Sequence, residues 1–187
     1  MDLFEYILIM TSVIFAMAVG QLLLGLGRLA QSTATIRTYH PHSVWVLTMF
    51  VMIYANWWAN WEFRSVEWTL AMYGYMLIAP TLAFFACTLL IPQSFGPDEV
   101  DLEEHFFRVR RPFFGAVFVF ALAILIDGSL MGTEPVWHPG RIGHVGIVLG
   151  TFGGLITERR RIHYLLVWSV LLGLVGAMSW RLWTPAG

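Results

Sequence analysis

RIGHVGIVLGTFGGLITERRRIH, residues 141–163, is the stretch whose reading decides the fold. Between Arg141 and Glu158 the only other ionisable residue is His144, and the apolar run is about one membrane thickness long. Gly146, Gly150 and Gly154 recur every fourth residue, with Gly143 and Gly153 beside them. Residues i and i+4 share a helix face. These glycines therefore predict a flat groove where another helix backbone approaches closely. Glycine weakens a helix in water; in lipid the backbone has no alternative to its own hydrogen bonds. The segment reads as a buried, central membrane span, stopped by Glu158, Arg159, Arg160 and Arg161.

The rest of the chain agrees with that reading. Of its 187 residues 58% are hydrophobic and 12% charged, against about 25% charged in a soluble domain. Mean hydropathy is +0.68. This is the composition of one polytopic membrane domain. The net charge of −1 offers no basic surface for nucleic acid. All 11 basic residues are Arg. The absence of Lys excludes Schiff-base chemistry with retinal or pyridoxal phosphate, and a Walker-type phosphate loop. The single Cys87 excludes an intrachain disulfide and a cysteine-held cluster. No cofactor is expected.

The expected fold is an all-α membrane protein with six transmembrane helices and one short cytoplasmic amphipathic surface helix. The spans fall at about residues 3–29, 43–61, 68–91, 112–130, 141–158 and 163–180. Pro80 predicts a kink in the third. Residues 98–111 place Leu102, Phe106 and Val109 on one face and Asp101, Glu104, Arg108 and Arg111 on the other, which predicts the surface helix. Residues 31–42 and 131–140 read as loops. Gly173 and Ala177 in the last span form a further pair of small residues suited to helix packing.

Arginine near span ends sets orientation. The loops after spans 1, 3 and 5 hold Arg28, Arg37, Arg108, Arg110, Arg111, Arg159, Arg160 and Arg161; the opposite side holds Arg64, Arg141 and Arg181. Both termini are thus expected outside, in the periplasm for a bacterial inner membrane. Trp57, Trp58, Trp61, Trp68, Trp137, Trp180 and Trp183 fall on that outer side, as an interfacial belt should.

Two groups of residues are candidates for chemistry. Asp127, Glu5, Glu62, Asn60, Asn56, His144 and Arg141 form an expected outer-leaflet polar cluster, with Gln21 along a path below it. An ionisable group within a span points to function, and acids beside tryptophans suit a cation. The competing reading pairs Asp127 with Arg141 or His144 for structure alone. On the inner side His40, His42, His105 and His163 are metal ligands by residue type. Yet no helical HxxxH or HxxE pair occurs, so the expected reading is solvated loop histidines and no metal.

Glu103, Glu104 and Arg108 fit EExxxR. This hexapeptide resembles the first motif of the intramembrane CAAX-protease-like family. The resemblance implies paired glutamates acting on water near a membrane interface. The family's FxxxH motif and its third, histidine-containing motif have no counterpart here, so nothing completes the acid/base set.

From these residues we expect an oligomeric channel or transporter for an ion or small solute. The alternative is a non-catalytic structural or accessory subunit of a larger membrane complex, and a membrane-embedded enzyme comes third. The expected partners are membrane lipids and copies of the chain or other subunits.

Overall fold

The computed structural model describes residues 2–93, 99–135 and 141–183, with side chains as far as residue 179. Almost all of these residues are helical. The helices are α1 (Leu3–Gln31), α2 (His40–Ala59), α3 (Leu70–Met76), α4 (Ile78–Leu90), α5 (Leu102–Leu130), α6 (Arg141–Ile156) and α7 (Arg160–Trp183). A 3-10 turn, Asn60–Phe63, follows α2. Among the described residues four units are long and apolar enough to cross a membrane: α1, α3 with α4, α5 and α7. α6 is apolar but has 16 residues, about 24 Å at 1.5 Å per residue. Leu24, Leu149, Leu165 and Leu172 are 64–73% exposed. A soluble monomer rarely leaves so much apolar surface bare; a lipid-facing wall does.

The helices form a ring in the order α1, α4, α5, α6, α7, with α2 closing it between α7 and α1. α2 also reaches α4 and α5, so it is the interior helix. Its Trp45 is fully buried and meets Phe113 and Phe114 edge-on, with ring centroids 5.4 and 5.1 Å apart. Such aromatic pairs add roughly 0.5–1.5 kcal/mol beyond their buried area. A smaller cluster of Phe4, Ile7, Phe63, Met76 and Met131 closes the end where α1 begins.

The third expected span breaks where its proline requires. Pro80 has no N–H to give the Met76 carbonyl, and its ring crowds that turn. α3 stops at Met76, Leu77 turns through a bond from its N–H to the Gly74 carbonyl, and α4 resumes at Ile78.

Three expectations need correction. The separate surface helix at residues 98–111 does not exist as such: from Leu102 onward it is the first part of α5, continuous to Leu130. Pro112 does not divide it, because Phe106, Arg110, Phe113, Phe114 and Val117 form one buried stripe through the proline. The glycine face is also rotated. A Cβ on Gly146 would meet nothing within 4 Å, whereas Gly143 lies against Ala177 and the Gly173 carbonyl, and Gly150 against Val170. Gly153 lies against Leu166 as well, so the positions facing α7 include Gly143, Gly150 and Gly153, and the exposed Gly146 is not one of them. Lastly, the polar connections are not all loop. β1 (Thr35–Arg37) and β2 (Glu99–Asp101) pair in parallel, Thr35 opposite Glu99 and Arg37 opposite Asp101.

That ribbon marks one end of the bundle. Arg37 donates to Asp101 at 2.9 Å. The same carboxylate caps α5 by accepting from the Glu104 and Glu103 N–H groups at 2.9 and 2.8 Å. These backbone donors, with Arg37, hold the Asp101 carboxyl below its ordinary range. Trp137 lies outside the described residues, as do the side chains of Trp180 and Trp183. Trp57, Trp58 and Trp61 are exposed at the end opposite the ribbon, and Phe4 packs on Trp61 and Trp68 there.

Candidate functional site

At the end opposite the ribbon the helices splay around a cavity of about 120 Å³. Each element contributes by its own periodicity. Met52, Asn56 and Asn60 share the inward side of α2 and its 3-10 extension at i, i+4 spacing. Met52 and Asn56 line the cavity, with Glu62 and Phe63 from the turn. α5 brings Phe120, Ile124 and Asp127; α6 brings His144 and Ile147; α7 brings Leu174, Ala177 and Met178. The walls are mainly apolar, with a few convergent polar groups, as in most small-molecule sites.

The last acid in the lining, Glu134, depends on how α5 ends. Gly132 adopts φ +73°, the left-handed conformation that glycine takes without strain. The Thr133 N–H then bonds the Gly128 carbonyl at 2.9 Å, and the Gly132 N–H bonds Ser129 at 3.3 Å, a Schellman C-cap. The chain reverses and lays Glu134 over Gly128. A Cβ on Gly128 would stand 3.1 Å from the Glu134 carboxylate, so the glycine lets that side chain lie close against α5. Three carboxylates, Glu62, Asp127 and Glu134, thus line one cavity with the His144 imidazole.

Arg141 stands behind this lining. It is buried, donates to the Leu125 carbonyl at 2.7 Å, and lies 3.6 Å from Glu134. Asp127 accepts from the Gly128 N–H at 2.6 Å. Asn60, Asn56 and Asp127 also line a second, smaller cavity of about 10 Å³ beside the first, with Ile124, Tyr75, Met76, Ala79 and Ala123. The structure gathers Asp127, Glu62, Asn60, Asn56 and His144 around the two spaces. Glu5 instead closes a capping box at the start of α1, where it accepts from the Asp2 N–H at 3.0 Å while Asp2 accepts from the Glu5 N–H. Gln21 is half-buried on α1 and is not among the residues lining either space.

The histidines at the ribbon end have a different task. Among the described residues no group of three or more metal-ligating side chains occurs. His42 and His105 use Nε2–H to donate to the last carbonyls of α4, Leu90 at 2.7 Å and Leu89 at 3.0 Å. His163 donates to Thr157 at 3.1 Å, just past α6. Their ring nitrogens serve carbonyls that a helix end leaves open. His40 stacks on Tyr164. Arg110 does the same work at α6. It is 2% exposed and donates to the carbonyls of Gly154 and Leu155 at 3.1 and 2.7 Å, and to Glu158 at 2.9 Å. Of the EExxxR residues, Glu103 pairs with Arg160 at 2.9 Å, Glu104 is exposed, and Arg108 bonds the Nδ1 of His105.

Neither a protein-family model, nor a curated protein sequence, nor a solved structure matches this chain.

Proposed function

We propose that the chain is an integral membrane protein that binds a small cationic solute in the acidic cavity and passes it across the bilayer, as a channel or transporter. One observation carries this reading: three carboxylates from different elements, one of them beside Arg141, converge with Asn56 and His144 on one mainly apolar cavity. Acids in a low-dielectric wall attract and concentrate cations. Trp58, Phe63 and Phe120 add aromatic faces that favour an organic ammonium. A single chain already encloses the space, so the reading does not require an oligomer.

In this reading all six helical units cross the membrane, and the cavity opens outside. Support comes from charge: the ribbon end holds eight of the arginines, which favours the cytoplasmic side. The first turn of α1 and the later turns of α7 both lie at the cavity end, so both termini face outward. A thiol reagent that cannot cross the membrane is expected to label a cysteine at Asp2 or Thr133 and to spare one at Thr35. Native Cys87 is buried and gives little background. Labelling in the reverse pattern would invert the orientation.

The function itself is tested in liposomes with methylammonium and tetramethylammonium. Uptake is expected for the wild type, and a fall of at least tenfold for Glu62→Gln and Asp127→Asn, with melting in detergent nearly unchanged. Absence of uptake in the wild type, with Asp127→Asn clearly destabilised, would make Asp127 a structural carboxylate. The accessory-subunit reading would then replace this one.

A further inference from the structure

The smaller cavity lies where a helix is broken, and its lining is rich in oxygen. Asp127 supplies a carboxylate, Asn56 and Asn60 supply amides that are 7% and 4% exposed, and Tyr75 supplies a hydroxyl. The Tyr75 hydroxyl donates to the Ala123 carbonyl, which leaves its oxygen lone pairs available. Met76 also lines the space. Pro80, four residues on, deprives the Met76 carbonyl of its helical donor. The two bonds at the break go elsewhere: the Leu77 N–H to Gly74, and the Thr81 N–H to Leu77. Irregular backbone at membrane depth persists where it lines a cavity, and carbonyls of interrupted helices are recurrent ion ligands.

Size and charge narrow the occupant. About 10 Å³ is the room of one water or one bare ion. Oxygen donors without imidazole or thiolate select a hard cation. One carboxylate balances a single positive charge; a divalent ion would leave an excess charge in a low-dielectric site. We infer that this cavity, at the α3–α4 break, binds one dehydrated sodium-sized monovalent cation through Asp127, Asn56, Asn60, Tyr75 and the Met76 carbonyl. Asp127 and Asn56 line both spaces, so the ion and the solute share a wall. The inference rests on the solute reading above and adds its coupling: filling the ion site positions Asp127 for the larger cavity, and solute binding becomes sodium-dependent.

The test uses the purified full chain in detergent at fixed pH and ionic strength. Thermal unfolding is followed as choline chloride is replaced by sodium, lithium or potassium chloride, and tetramethylammonium binding is measured in each salt. Sodium should raise the melting temperature saturably and tighten tetramethylammonium binding at least fivefold. Asn60→Ala and the milder Tyr75→Phe should raise the half-saturating sodium concentration about tenfold or more. Equal melting in sodium and choline would overturn the ion site, as would an unchanged sodium response in both variants. If tetramethylammonium still binds in those cases, only the ion site falls. A sodium response without any solute binding or uptake supports the ion site and sinks the solute reading.

Discussion

Replacing Arg110 with leucine is expected to be among the most destabilising single changes in the protein. The chain leaves the helical path after Ile156, so no following turn supplies donors to the carbonyls of Gly154 and Leu155. The Arg110 guanidinium does so, from α5, 44–45 residues earlier. Leucine removes those donors and leaves two acceptors in a buried site. At roughly 1–3 kcal/mol per unsatisfied buried acceptor, the loss is about 2–6 kcal/mol. The bond to Glu158 adds little, because that carboxylate is 72% exposed and exposed pairs are worth at most about 1 kcal/mol. Arg111 gives the control. It reaches the same Glu158 at 3.7 Å but is itself 77% exposed, so Arg111→Leu should shift stability by less than about 0.5 kcal/mol. Chemical unfolding of the two variants in matched detergent decides the matter. Equal losses would mean that the charge at this end matters and the capping of α6 does not.

The second large effect is a contrast of sign between two glycines eight residues apart. A Cβ on Gly154 would run into the Phe114 ring. That ring is fully buried among Trp45, Phe106, Phe113 and His163. It cannot swing away without repacking four neighbours. Gly154→Ala should therefore cost about 1–3 kcal/mol or more, as overpacked cores do. Gly146→Ala meets open space and replaces glycine by the best helix former, a gain of up to about 1 kcal/mol. Melting temperatures measured side by side should move in opposite directions. If Gly154→Ala melts no lower than the wild type, α6 does not dock on α5 through Gly154.

The sequence made some of this legible and hid the rest for identifiable reasons. Apolar runs of membrane length and the Pro80 break are local properties, so the helices and the α3–α4 interruption could be read directly. Asn56, Glu62, Asp127 and His144 stand out because polar groups are conspicuous in apolar surroundings, and they do meet around one cavity. Glu134 was hidden because its place depends on the reversal at Gly132, which composition alone reads as loop. Gly132 following the run from Asp127 to Met131 was the available signal. Arg110 counted only toward orientation, because its three acceptors lie 44–48 residues away. The histidines suggested metal by type, whereas two of them cap the end of α4 and one a carbonyl just past α6. The β1–β2 ribbon was invisible, since three residues carry no recognisable alternation.

That ribbon also sets an order of events during synthesis. Arg37 and its partner Asp101 are 64 residues apart, and everything from α2 to α4 lies between them. When α1 and α2 leave the ribosome, β1 has no strand to pair with. Trp45, at the centre of α2, equally lacks Phe113 and Phe114. The early helices are therefore expected to wait as loosely associated units. The strand pairing, the α5 cap at Asp101 and the seat for Trp45 all arrive with the same short stretch, residues 99–114. Loop closure over such a distance adds little entropy beyond that of a shorter loop, so the delay is one of timing and not of stability. Residues 99–114 act as a latch: until they are made the first half of the protein stays adjustable, and once they are made three separate contacts lock it together.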